Sequence, residues 1–130
     1  MAKLILADLE ATSVQMEVAH PTLGPQGVFL EVVGPDNPQF RSLRDSFLKR
    51  RLAMGDSYKP DFDEAIKQHN ELLLTCVVGW SDDEFFGGPF SKEKMLDILR
   101  NTKLAWLREQ LDEFTNSRNN FFRRDGEQSS

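Results

Sequence analysis

The chain changes character within the stretch VFLEVVGPDNPQF, residues 28–40. Val28, Leu30 and Val32 are spaced by two, which is the spacing of a strand with one buried face. Beyond this strand, Pro38 restricts Asn37 to extended geometry and is itself tolerated at the first position of a helix. Asn37 is therefore a suitable N-cap, and we expect a helix to begin here.

The residues before this junction predict a β-hairpin over residues 13–34. The same alternation runs from Val14 to Val18, and the turn-forming run PTLGPQG, residues 21–27, separates the two strands. Because an isolated hairpin is only marginally stable in water, it must pack on other elements. Residues 4–9 could supply a third strand.

Three-and-four spacing of apolar residues predicts about four helices in residues 37–122. The first stops at Gly55. The second begins with Asp61 as N-cap and is apolar on nearly all sides from Leu72 to Val78, which we expect to be the centre of the core. The inward positions predicted for these two helices are Phe40, Leu43, Phe47, Leu48, Leu52, Phe62, Ile66, His69, Leu73 and Val77.

The remaining sequence predicts a loop and two further helices. Residues 79–90 form the loop, and Ser91 caps a short third helix. The fourth helix runs from about Lys103 to Phe122. Residues 123–130 are polar, and we expect them to form a flexible tail.

Length and composition limit the fold and the classes of partner. The chain has 130 residues, of which 39% are hydrophobic and 28% charged, so it has room for one core. We expect a single α+β, mainly α domain, residues 1–130, in which the hairpin packs on the helical bundle. The net charge of −5 opposes nucleic-acid binding, and no apolar run approaches the roughly 20 residues of a membrane span. The only cysteine, Cys76, lies in an apolar run and favours an intracellular setting.

Candidate catalytic and metal-binding groups are sparse in the sequence. Neither His20 nor His69 has another ligand residue at metal-binding spacing, and no Ser, Cys or Thr lies in a nucleophile motif. The acidic run at residues 82–84 lacks the ligand spacing of a calcium loop. We therefore expect no enzymatic activity and no cofactor. A metal-dependent hydrolase that uses Asp82, Asp83 and Glu84 is an alternative, and it predicts binding of divalent ions.

Aromatic residues supply the main functional signal. The chain contains ten phenylalanines and two tryptophans, several of them outside the best core positions. Clusters of exposed aromatic side chains are typical of protein-binding sites. The predicted partner-binding residues are Trp80, Phe85, Phe86, Phe114, Phe121 and Phe122.

Three segments carry a resemblance to a known family. They are VVGPDNPQFR at residues 32–41, LLLTCVVGWS at residues 72–81 and PFSKEKML at residues 89–96. These segments resemble tail assembly chaperones of long-tailed bacteriophages with non-contractile tails. The similarity covers roughly Val14 to Phe122, and its motifs are structural rather than catalytic.

The resemblance implies a function and a set of partners. Such chaperones bind and solubilise the tape measure protein, promote polymerisation of the major tail tube protein around it, and are absent from the mature virion. A longer form made by translational frameshifting is common in the family, and the site of action is the host cytoplasm. The alternative is a minor tail or head-completion component that is retained in the virion.

Overall fold

The computed structural model describes residues 11–57, 59 and 61–122, together with Leu6. Within them, a three-stranded antiparallel sheet and five α-helices form the α+β, mainly α fold that the sequence predicts. The strands are β1 (Val14–His20), β2 (Gly24–Val32) and β3 (Val77–Trp80). The helices are α1 (Pro38–Met54), α2 (Phe62–Thr75), α3 (Asp83–Phe86), α4 (Lys92–Arg100) and α5 (Ala105–Asn116). Short 3-10 helices occupy Gly55–Ser57, Thr102–Leu104 and Arg118–Phe121.

The predicted hairpin is present, with a tighter turn than expected. β1 and β2 pair in an antiparallel register that places Met16 opposite Leu30, and one apolar face of the hairpin is buried. Only residues 21–23 connect the strands, because β2 already begins at Gly24. Gly24 has a φ of +78°, a conformation that glycine adopts without a steric penalty.

The third strand of the described sheet is β3, which pairs with β2. The prediction that the second helix continues to Val78 is wrong, since α2 ends at Thr75. Two consecutive β-branched valines favour a strand, and Val77 pairs with Val32 at the buried face. The strand predicted at residues 4–9 lies outside the described residues except for Leu6.

The helix starts follow the predicted capping residues. The side chains of Asn37, Asp61 and Ser91 each accept the backbone N–H three residues further on, at 2.9, 2.7 and 3.1 Å. Gly55 follows the last residue of α1, as predicted. These three N-caps fix the residues at which α1, α2 and α4 begin.

No helix among the described residues is long and apolar enough to cross a lipid bilayer.

Two further predicted boundaries are wrong. The loop predicted at residues 79–90 contains the one-turn helix α3, with Asp82 as its N-cap. The fourth helix does not continue to Phe122, because α5 ends at Asn116. There the side-chain amide of Asn120 donates to the backbone oxygen of Phe114 at 3.0 Å, which satisfies a carbonyl at the helix end.

One hydrophobic core joins the sheet to α2, α4, α5 and the last 3-10 helix. α1 differs from these elements because none of its residues is buried. Its contact with the core comes mainly from Phe40 near its first turn, and it packs beside α2. The buried apolar residues are Met16, Val18, Val28, Leu30, Val32, Leu73, Cys76, Val77, Met95, Leu99, Leu107, Leu111 and Phe121.

Candidate partner-binding surface

The aromatic residues around β3 pack mostly on one another. Trp80 stacks on Phe86 with ring centroids 4.5 Å apart and meets Phe90 edge to face at 4.9 Å. The indole N–H of Trp80 donates to Asp83 Oδ1 and to the backbone oxygen of Gly88, both at 3.1 Å. Trp80, Phe86 and Phe90 are therefore half-buried against the core.

Phe85 is the exposed member of this group. It retains 45% of its accessible area, and its ring meets that of Phe86 edge to face, with ring centroids 4.9 Å apart. Phe85 is the most accessible of the three predicted residues in this group, whereas Trp80 and Phe86 are half-buried. The predicted site near β3 is therefore smaller than the sequence indicates.

The phenylalanines of the predicted aromatic site at the C-terminal end differ in how deeply they are buried. Phe121 is 1% exposed and meets Phe114 edge to face at 5.6 Å, so placing Phe121 on the surface is wrong. Because α5 stops early, the last 3-10 helix turns Phe121 back towards the hairpin, where its backbone oxygen accepts the N–H of Thr12 at 2.7 Å. Phe122 is 37% exposed. Ring contacts occur within each predicted group, and none joins the two groups among the described residues.

Four other exposed large apolar residues of the helical part lie where α1 ends and α2 begins. We call Leu48, Leu52, Met54 and Phe62 the α1–α2 tip. Their exposed fractions are 52%, 72%, 45% and 79%. A connection of only residues 55–61 joins two packed helices, which places the end of α1 and the start of α2 at the same end of the pair. A cluster of large apolar side chains at one end of a helix pair is the kind of patch that binds another protein.

Sequence reasoning missed the α1–α2 tip because it assigned its leucines and Phe62 to the core. At 3.6 residues per turn, Leu48 and Leu52 lie about 100° around the helix from Phe40 and Phe47. The apolar positions of α1 thus form two stripes rather than one. The core-facing stripe is only half-buried, and the second stripe is more exposed, with Leu48 at 52% and Leu52 at 72%. Treating the two stripes separately would have shown that Leu48 and Leu52 lie on a different face of α1 from Phe40 and Phe47.

Charge distinguishes α1 from the rest of the chain. The helix carries Arg41, Arg44, Lys49, Arg50 and Arg51 against a single acidic residue, a net charge of +4. The whole chain carries −5, so the residues outside α1 carry −9. All five basic residues are exposed. The apolar α1–α2 tip therefore lies at the end of a basic helix.

The candidate reactive groups have structural partners. The Cys76 thiol is buried, and this burial raises its pKa to about 11, against smaller lowering effects from a hydrogen bond to Thr75 and from the Lys92 charge. Burial also lowers the pKa of Lys92, whose Nζ donates to the backbone oxygens of Leu74 and Val77 at 2.9 and 2.7 Å. Cys76 is therefore a neutral thiol at physiological pH, which is the unreactive form.

The acidic run and the second histidine also form local contacts. Asp82 caps α3, and Asp83 accepts the indole N–H of Trp80. His69 Nε2 lies 3.1 Å from Asp112 Oδ1, a contact that joins α2 to α5 at the surface. Within residues 11–57, 59 and 61–122, no group of three or more His, Cys, Asp or Glu side chains is placed to hold a metal ion.

The comparison with known proteins found no protein similar to this chain. No family model matches the chain, and neither the curated proteins nor the solved structures give a match.

Proposed function

We propose that this chain is a non-catalytic tail assembly chaperone that binds and solubilises the tape measure protein of a long-tailed phage. The observation that carries the proposal is the exposed α1–α2 tip, where Leu52 and Phe62 are more than two-thirds exposed. A chaperone needs such a surface, because it must cover apolar area on its client. The resemblance of residues 32–41, 72–81 and 89–96 to this family supports the identity of the client.

The shape of the surface suits a long helical client. A helix presents apolar residues at three-and-four spacing, and Leu48 and Leu52 present the same spacing from α1. Two helices can therefore pack side by side along the tip. Four large side chains make a small patch, which favours contacts that can be displaced when the tail tube polymerises.

In this proposal the protein acts in the host cytoplasm and leaves before the virion is complete. Its partners are the tape measure protein, the major tail tube protein and a frameshifted longer form of itself. It contributes a binding surface and catalyses no reaction. Phe85 and Phe122, the two exposed members of the sequence-predicted site, would supply additional contacts away from the tip.

Co-expression tests this proposal. The tape measure protein is produced alone and together with this chain, and the soluble fraction of the client is measured by sedimentation and gel densitometry. We expect the client to be largely insoluble alone and soluble in the presence of the chain. An unchanged soluble fraction would contradict the proposal.

Mass spectrometry of purified virions separates the proposal from its alternative. A chaperone leaves no signal, whereas a minor tail or head-completion component gives a stoichiometric signal. Tail tube and tape measure peptides in the same sample serve as internal references.

A further inference from the structure

The charges of α1 indicate which kind of helix the α1–α2 tip accepts. Leu48 and Leu52 are flanked by Arg44 and Arg51 on one side and by Lys49 on the other, from the spacing of positions around the helix. All of these side chains are exposed. The leucine stripe therefore has a basic rim on both sides.

One acidic residue interrupts this rim. Asp45 Oδ1 lies 3.7 Å from Arg44 Nη2, and both side chains are more than half exposed. An exposed pair at this distance contributes little and is screened by salt, so Arg44 can still bind another carboxylate. The rim thus carries three basic residues, Arg44, Lys49 and Arg51, against one acidic residue, Asp45, which lies on the Lys49 side of the stripe.

We propose that the α1–α2 tip binds an amphipathic helix whose apolar stripe is flanked by glutamate and aspartate. The apolar stripe of such a helix would cover Leu48 and Leu52 on α1, while its carboxylates would meet Lys49 and Arg44. Apolar contact supplies the affinity, and complementary charge supplies orientation and a faster association rate. This inference rests on the proposed function, because it names the chemistry of the client segment that the chaperone covers.

The same surface fits other polyanions less well. A nucleic acid backbone offers charge but no apolar stripe to cover Leu52 and Phe62. An anionic membrane could contact both the leucines and the basic residues, as it does when it binds a basic amphipathic helix. However, the residues outside α1 carry −9, and they would be repelled by an anionic surface over the range of electrostatic screening. Four of those acidic residues, Asp56, Asp61, Asp63 and Glu64, lie next to Phe62 in the connection and in the first turn of α2, so an acidic helix would lie along α1 and not over Phe62.

Synthetic peptides test the inference on the full chain. The probe is an amphipathic helix of about 20 residues, long enough to be helical in isolation, with leucine at three-and-four spacing and glutamate on both flanks. The matched probe has lysine in place of each glutamate. Binding is measured by isothermal titration calorimetry at low salt and at about 1 M salt, where charges are screened beyond about 3 Å.

We expect the acidic peptide to bind at least about tenfold more tightly than the lysine peptide at low salt, with the difference largely lost at high salt. Leu52→Asp should weaken binding of the acidic peptide by about tenfold or more. Leu23→Asp is the matched control, because Leu23 is 73% exposed at the hairpin turn, against 72% for Leu52. It should leave the affinity within about twofold.

Charge reversal provides a second variant that does not depend on the leucines. Lys49→Glu should lower affinity for the acidic peptide several-fold and reduce its salt dependence, whereas Lys103→Glu, an exposed lysine between α4 and α5, should change neither. Circular dichroism confirms that each variant is folded. Equal binding of the two peptides, or an unchanged affinity in Leu52→Asp and Lys49→Glu, would overturn the inference. Tighter binding to duplex DNA or to phosphatidylserine vesicles than to the acidic peptide would also overturn it.

The failure of this inference can be told apart from the failure of the proposed function. If wild type solubilises the tape measure protein and Leu52→Asp does so equally well, the function stands and the site is elsewhere. If the acidic peptide binds at the tip but the tape measure protein stays insoluble, the inference stands and the client is another protein.

Discussion

The ring of Phe121 packs directly on Gly34, since a Cβ placed on Gly34 would lie 3.3 Å from Cγ and Cδ2 of Phe121. Gly34 lies between the hairpin and α1, and Phe121 ends the last 3-10 helix. The contact therefore closes the core where the C-terminal segment meets the junction of strand and helix. Phe121 is therefore a buried core residue, whereas the neighbouring Phe122 is partly exposed.

Adjacent phenylalanines should differ sharply in their effect on stability. Phe121→Ala should lower the free energy of unfolding by about 3–5 kcal/mol, because it leaves a cavity in the core. Phe122→Ala should lower it by less than about 1 kcal/mol, since Phe122 is 37% exposed. Urea denaturation of the two variants measures both values, and equal losses would show that the ring of Phe121 is not buried as described.

The cap of α1 should be a second sensitive position. Asn37 Oδ1 accepts the N–H of Phe40 at 2.9 Å, and Asn37 Nδ2 donates to the backbone oxygen of Gly34 at 2.7 Å. Asn37→Ala removes both bonds, together with a weaker one from Nδ2 to Cys76 Sγ at 3.9 Å, and should cost about 1–2 kcal/mol of unfolding free energy.

Asn37→Asp separates the two bonds, because it keeps the acceptor and removes the donor. Its loss should be smaller than that of Asn37→Ala. Thermal denaturation compares the two variants with wild type, and an equal loss would assign the effect to the amide donor rather than to the helix cap.

The buried thiol of Cys76 should make stability depend on pH above neutrality. Burial raises its pKa in the folded state from 9.0 to about 11. The folded state therefore holds the proton more tightly than the unfolded state, so this contribution is complete below pH 9 and is lost as pH rises towards 11. At most about 3 kcal/mol is involved, from about 1.4 kcal/mol per pH unit.

Comparison with Cys76→Ala isolates this contribution, because every other ionisable side chain is present in both proteins. The free energy of unfolding of wild type should fall relative to Cys76→Ala between pH 9 and 11. Parallel curves would contradict a raised pKa for Cys76.

Local chemistry explains which parts of the fold could be predicted from the sequence. The hairpin follows from alternation, and the starts of α1, α2 and α4 follow from Asn37, Asp61 and Ser91, because a cap acts within one helical turn. β3 could not be separated from α2 in this way. A short apolar run suits a buried helix and a strand equally, and only pairing with β2 decides between them.

The candidate surface was harder to predict than the fold. Spacing shows which residues share a face, but it does not show whether a neighbour covers that face. Leu48 and Leu52 have core-like spacing and are exposed, while Phe121 follows the end of α5 and is buried. In both cases long-range packing decides the exposure, and no residue within one turn signals it.

Hydrogen–deuterium exchange on the complex with the tape measure protein tests most directly whether the α1–α2 tip binds the client. Amide exchange is compared between the free chain and the complex, with Leu52→Asp as the control. We predict slower exchange in residues 47–62 on binding, and no such slowing in Leu52→Asp. Slowing confined to residues 80–90 and 114–122, with residues 47–62 unchanged, would contradict the account.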